Sequence, residues 1–197
     1  MNIKEFIFIA FILMVLFQLF IPAQMIVQRE NVLRRGTAYK FKTAPIDPSD
    51  PFRGKYIDLS FEATRFYTDI EAWRGKQGET VFVHLSTDSA GFARIQQISL
   101  LEPATEVDYL KAEIRYVFKG DEAEASHIRI SYPFDRFYME ESKAYEAEQV
   151  YRESRRAGEQ LTYALVRIKG GEAVIENVLI DGTPIQELVK LRQAESH

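Results

Sequence analysis

The chain has 197 residues, with 25 Lys and Arg against 29 Asp and Glu, three His and no Cys. Without cysteine there is no cysteine-ligated metal site, disulfide scaffold, cysteine nucleophile or lipid anchor on an N-terminal cysteine. A net charge of −4 provides no basic field for a nucleic-acid backbone, so no nucleic-acid partner is expected.

An uncharged, apolar run near the N-terminus is the strongest signal. It extends from Phe6 to Gln28, between the charges of Glu5 and Arg29. A helix needs about 20 apolar residues to cross a bilayer core, so we predict a transmembrane anchor over residues 1–28 that contacts the lipid bilayer through residues 6–28. A cleaved signal peptide is the alternative, although Pro22 fits poorly beside an A-x-A-like cleavage site.

The orientation of this anchor rests on two conflicting arguments. The residues after the run carry more Lys and Arg than the residues before it, which by the positive-inside rule keeps the domain in the cytoplasm. The short basic tail and the long apolar stretch resemble a bacterial signal-anchor, which exports the domain C-terminal to it. We expect a single-pass protein of the bacterial inner (cytoplasmic) membrane with an extracytoplasmic soluble domain.

The rest of the chain reads as a juxtamembrane helix or linker, residues 29–36, and one β-rich domain, residues 37–197. Gly36 is a suitable helix stop. After it, apolar residues alternate with polar ones, as in strands with one buried face. The predicted strands cover residues 39–43, 55–62, 80–86, 92–100, 110–118, 127–132, 161–168 and 172–180.

One segment, residues 141–156, is clearly helical, because it lacks Gly and Pro and is rich in Glu, Ala, Lys and Arg. The predicted fold class is therefore mainly β (α+β): a transmembrane helix, one antiparallel β-sandwich or barrel-like domain, and one helix near 141–156. The hairpins at 81–100 and 163–180 share a strand–turn–strand layout. Either a β unit is duplicated, or two amphipathic hairpins simply look alike.

Residues 44–61 contain three prolines, two aspartates, and then the run Gly-Lys-Tyr-Ile-Asp-Leu-Ser-Phe. This segment resembles the signature of the GDYXXLXY family of bacterial membrane-anchored proteins. The matching positions are Gly54, Tyr56, Leu59 and Phe61. Lys55 stands where the signature has Asp, and Phe61 stands where it has Tyr.

A second block, residues 132–141 together with Glu146, is similar to the aromatic-then-Glu segment of the same family. Its candidate residues are Tyr138, Glu140 and Glu146. The resemblance implies a partner of a polytopic membrane protein, with no known biochemical role, catalytic residue or cofactor to carry over.

The loop that leads into the first motif is stiff. Pro45, Pro48 and Pro51 fix their own φ angles and restrict the preceding residues. Asp47 and Asp50 suit turns, Gly54 precedes a strand, and Arg53 is placed to pair with a carboxylate. Two interpretations stay open: a rigid loop that closes one end of the sheet, or a docking loop or anion site near the membrane, with the motif residues Asp47, Asp50, Arg53, Gly54, Tyr56, Leu59 and Phe61.

These observations favour a membrane-anchored, non-enzymatic accessory or interaction domain over an enzyme. No pair of His residues has metal-ligand spacing, so no metal or other cofactor is expected. One alternative is a membrane-tethered hydrolase that uses the carboxylates of Asp47, Asp50 or Glu140, which requires a pocket lined by them. Another is an envelope sensor domain that binds a small ligand.

Overall fold

The computed structural model describes residues 3–44, 56–104, 108–120, 125–157 and 160–195. Its first element is one long helix, α1 (Ile3–Arg35), which passes through Pro22. At 1.5 Å per residue the helix is about 50 Å long, more than a bilayer core requires. No part of its most apolar stretch is buried by the rest of the chain. By length and composition α1 is fit to cross a membrane, and a signal sequence meets the same criteria.

The helix ends at Gly36, where the sequence predicted a stop. The Gly36 N–H donates to the Val32 carbonyl over 2.8 Å. A Cβ at this position would lie 2.5 Å from the Val32 oxygen and 3.0 Å from the backbone nitrogen and oxygen of Ile168. Glycine is required here because the chain passes directly against a strand of the domain.

The domain after α1 is built from short strands. The described part of the chain contains these eleven: β1 (Thr37–Lys42), β2 (Tyr56–Asp58), β3 (Arg65–Tyr67), β4 (Thr80–Thr87), β5 (Ala93–Ser99), β6 (Leu110–Phe118), β7 (His127–Ser131), β8 (Arg136–Tyr138), β9 (Thr162–Lys169), β10 (Glu172–Ile180) and β11 (Thr183–Pro184). A 3-10 turn covers Glu71–Trp73, and two helices pack on the strands, α2 (Glu141–Ala157) and α3 (Ile185–Glu195).

The strands form three antiparallel sheets. Four strands are arranged in the order β1-β9-β10-β11, five in the order β3-β7-β6-β4-β5, and β2 pairs with β8 alone. The outer strands of the five-stranded sheet, β3 and β5, contact each other, so this sheet is nearly closed and barrel-like. Isolated bridges at Lys40–Phe92 and Leu110–Gly171 link it to the four-stranded sheet.

The predicted fold class, mainly β with an N-terminal helix, is confirmed. The helix predicted at 141–156 is α2. The prediction of a single helix in the domain was wrong, because α3 begins after Pro184 and buries Ile185 and Val189. Their spacing, continued by the partly buried Leu188, is helical, but the segment is short and lies at the end of the chain.

Both predicted hairpins form, and they belong to different sheets. In each, the second strand carries one unpaired residue, Gln96 in β5 and Glu176 in β10. Gly170 and Gly171 both have positive φ and close the second hairpin in two residues, a turn whose twist matches that of the strands.

Candidate functional site

The two segments that carry the family resemblance pair with each other. In the β2–β8 ladder, Tyr56 lies opposite Tyr138 and Asp58 opposite Arg136. The pairing continues one residue beyond β2, where the Leu59 N–H donates to the Asp135 carbonyl over 2.7 Å. The two blocks are therefore one structural unit.

This pair of strands has one buried face and one face toward solvent. Ile57 and Phe137 point into the core and are almost fully buried. Strand geometry places the alternate side chains on the opposite face. We call these four residues the ribbon face: Tyr56, Asp58, Arg136 and Tyr138.

The ribbon face is held together by stacking. The rings of Tyr56 and Tyr138 have centroids 5.5 Å apart, and the Arg136 guanidinium lies 4.9 Å from the Tyr56 ring centroid. Arg136 Nε is 3.8 Å from Asp58 Oδ1. Tyr138, Tyr56 and Asp135 together raise the pKa of Arg136 above its usual value. Tyr138 is 65% exposed, which leaves a large part of this arrangement open to a partner.

The other two residues of the first motif are core residues. Leu59 and Phe61 are buried, and Phe61 bridges to Thr43 just beyond the end of β1. The Phe61 ring lies 5.5 Å from Phe41 and 5.5 Å from Phe134, centroid to centroid. A buried site of this kind explains why Phe can stand where the signature has Tyr, since a hydroxyl there would need a hydrogen-bond partner.

Tyr132 belongs to the same aromatic cluster and has such a partner. Its ring stacks on Phe134 with centroids 5.1 Å apart. Its hydroxyl donates to the carbonyl of Ala63. Burial raises the pKa of Tyr132 strongly, because the phenolate form would be desolvated.

The two glutamates of the second motif lie in different environments. Glu140, just before α2, is exposed and forms an ion pair with Lys143. Glu146, within α2, has one carboxylate oxygen buried without a hydrogen-bond partner among the described residues. Neither side chain is part of the ribbon face.

The model of the family described as GDYXXLXY protein matches residues 18–178. The chain belongs to the GDYXXLXY family. The match begins inside α1 and includes both motif segments, so it covers the second half of the helix and both strands of the β2–β8 pair. The function of this family is unknown. No curated protein and no solved structure matches the chain.

Part of the GDYXXLXY motif loop lies outside the described residues: Asp47, Asp50, Arg53 and Gly54. Its N-terminal flank, Ala44, is bonded through its N–H to the Ser60 carbonyl over 2.8 Å. Strand β1 separates this flank from α1 by six residues, about 20 Å at strand rise.

The described carboxylates of this GDYXXLXY protein form no metal-binding cluster. Within residues 3–44, 56–104, 108–120, 125–157 and 160–195, no group of three or more His, Asp or Glu is placed to hold a metal. Of the three carboxylates in the hydrolase hypothesis, Glu140 is the one that lies within the described residues. It is exposed and forms an ion pair with Lys143.

Sequence reasoning did not single out Arg136, although it lies inside the second motif. The available signal was its position two residues before Tyr138, on the same side of a strand. Its partner Asp58 stands two residues after Tyr56 in the same way. Only the pairing of the two segments makes these four positions one surface.

Proposed function

We propose that this GDYXXLXY protein is a membrane-anchored, non-enzymatic accessory protein that docks on a partner protein through the ribbon face. The observation that carries the proposal is the exposed stack of Tyr138, Tyr56 and Arg136, built from the two family segments. Tyr and Arg are enriched among residues that dominate binding energy at interfaces. The β2–β8 ladder already orders these side chains, so little conformational entropy is lost on docking.

The proposed partner is a polytopic membrane protein. The apolar stretch of α1 is not buried by the rest of the chain, so this surface is available for lipid or for other helices. A single-span anchor would hold the domain beside the bilayer, where membrane proteins are the nearest large surfaces. We place the anchor in the bacterial inner membrane and the domain on its extracytoplasmic side.

The test is purification of the full-length tagged chain from native membranes in mild detergent, with identification of bound proteins by mass spectrometry. The ribbon variant carries Arg136→Ala and Tyr138→Ala. The matched control carries Arg94→Ala and Tyr67→Ala, an exposed arginine and an exposed tyrosine on other strands. The wild type and the control should recover one stoichiometric polytopic protein. The ribbon variant should recover at least about tenfold less of this protein than the wild type does, because loss of a dominant contact costs about 2 kcal/mol or more.

Melting temperatures of all three proteins should agree, since the replaced side chains are exposed. Full recovery of the partner by the ribbon variant would show that docking uses another surface. Recovery of the wild type without any membrane protein would overturn the accessory role.

A further inference from the structure

A cleft with a volume of 440 Å³ lies beside the aromatic cluster. Its walls come from both motif segments, within residues 59–61 and 132–135, from Thr64, and from strands β6 and β7. Two arginines line it, Arg115 from β6 and Arg129 from β7. It is distinct from the ribbon face, whose four residues are not among those that line the cleft.

A β-bulge brings the polar side chains of the cleft together. Ile114 lies opposite Ile130 and Tyr116 opposite Arg129, so Arg115 is an extra residue in β6. Such a bulge interrupts the alternation of faces and re-aims a side chain. Ile114 is fully buried, whereas Arg115 and the adjacent Tyr116 both line the cleft.

Among the described residues, no carboxylate is placed to neutralise either guanidinium group. Arg129 Nη1 donates to the Tyr116 hydroxyl over 2.8 Å, and no carboxylate pairs with Arg129 among the described residues. Arg115 has no ion pair or hydrogen bond with any described side chain. Asp135 also lines the cleft, and its Oδ1 lies 3.9 Å from Arg136 Nε. The positive charge of Arg136 therefore offsets part of the negative charge of this carboxylate.

We propose that this cleft binds a small organic anion, whose phosphate or carboxylate group lies between Arg115 and Arg129. A guanidinium binds either oxyanion through two parallel hydrogen bonds. The hydroxyls of Ser60 and Ser131 line the same cleft and can complete the shell of donors. The buried Phe134 supplies an apolar wall for the rest of the molecule. The volume lies within the usual range of small-molecule sites.

The position of the cleft favours a soluble ligand over a lipid headgroup. Phe61, which lines the cleft, is bridged to Thr43 at the end of β1 that is remote from α1. Strand β1 alone accounts for about 20 Å between the two ends.

The experiment uses the full-length chain in neutral phosphatidylcholine nanodiscs, titrated calorimetrically with phenyl phosphate and with benzoate at constant ionic strength. The variants are Arg115→Gln and Arg129→Gln. The control is Arg74→Gln, an exposed arginine outside the cleft that pairs with Glu71. At least one probe should bind saturably to the wild type and to the control. Each cleft variant should bind it about ten- to a hundredfold more weakly, the effect of losing one charge-assisted contact.

Absence of saturable binding of both probes at millimolar concentration would overturn the proposal, and so would equal binding by the cleft variants. A repeat in phosphatidylglycerol nanodiscs distinguishes the sources of the anion. Loss of probe binding there would identify a lipid headgroup as the occupant and overturn the assignment to a soluble ligand. Arg115→Gln should still recover the membrane partner. A failure of the anion-site proposal can therefore be distinguished from a failure of the proposed docking through the ribbon face.

Discussion

Tyr56 and Tyr138 lie opposite each other across the β2–β8 pair, with ring centroids 5.5 Å apart, although they come from opposite halves of the chain. Their neighbours Ile57 and Phe137 anchor the same pair in the core. The most recognisable segments of this GDYXXLXY protein therefore form one element with a structural side and an exposed side. A mutation can be aimed at either side separately.

The buried aromatic cluster predicts a strong dependence of stability on Phe41. This residue is 0% exposed and makes edge contacts with Phe61, Tyr132 and Phe134 at 5.3–5.5 Å between centroids. Phe41→Ala should lower the free energy of unfolding by about 3–5 kcal/mol, because it removes buried contacts and leaves a cavity. Urea unfolding of the full chain in detergent, monitored by circular dichroism, measures this loss. Tyr67→Ala, at an exposed position, should change it by less than about 0.5 kcal/mol, and similar losses in the two variants would contradict the assignment of Phe41 to the core.

The junction between α1 and the domain predicts that Gly36 tolerates no side chain. Gly36→Ala places a methyl group 2.5 Å from the Val32 carbonyl oxygen and 3.0 Å from the Ile168 backbone. The overlap should cost about 1–3 kcal/mol and loosen the helix from β9. The readouts are the melting temperature and the rate of limited proteolysis at the junction. Ala38→Ser, which adds one atom at a nearby exposed position, is the control, and equal behaviour of the two variants would exclude close packing at Gly36.

The buried hydroxyl of Tyr132 predicts a loss of stability in alkali. Its pKa is raised in the folded protein, so the stability it contributes is complete below the ordinary tyrosine pKa and is lost as the pH rises above it. Above about pH 10 the free energy of unfolding should fall by up to about 1.4 kcal/mol per pH unit from this group. Tyr132→Phe should reduce this slope, while costing about 0.5–1.5 kcal/mol at neutral pH through the lost bond to Ala63.

Urea unfolding across this pH range, with absorbance near 295 nm to monitor tyrosinate, measures both effects. Tyr67→Phe, which changes an exposed tyrosine, should keep the wild-type slope. An unchanged slope in Tyr132→Phe would assign the alkaline loss to other groups.

The proposed topology predicts that a C-terminal fusion to alkaline phosphatase is active. A C-terminal fusion to green fluorescent protein should not fluoresce. The basic N-terminal tail and the apolar stretch of α1 act together as a signal-anchor in this interpretation. Mass spectrometry should find the N-terminus intact in carbonate-washed membranes. Removal of residues 1–28 should release the chain from the membrane and inactivate the phosphatase fusion. A fluorescent full-length fusion would place the domain in the cytoplasm, held there by the basic residues after the apolar stretch.

Local patterns in this sequence were sufficient to predict most individual elements. Strands β6 and β10 agree residue for residue with the predicted ranges 110–118 and 172–180. Ile57, Leu59 and Phe61 share a buried face as their alternation predicted, even though the strand itself ends at Asp58. Side-chain alternation depends only on neighbouring residues, so it can be read without knowledge of the fold.

Elements of two or three residues, such as β3, β8 and β11, were not predicted, because they contain too few residues to show a period. Their existence depends on the strands beside them. Arg136, for example, belongs to a strand only because Asp58 lies opposite.

The sequence alone therefore determined the apolar helix, the alternating strands, the helix near residues 141–156 and the family to which the chain belongs. Tertiary structure alone decided that Tyr138 meets Tyr56, that Arg115 and Arg129 line one cleft, and that Phe61 is buried. The physical reason is that contacts between distant segments depend on the packing of the whole domain and on the cost of closing long loops, and neither is encoded in a short window of residues.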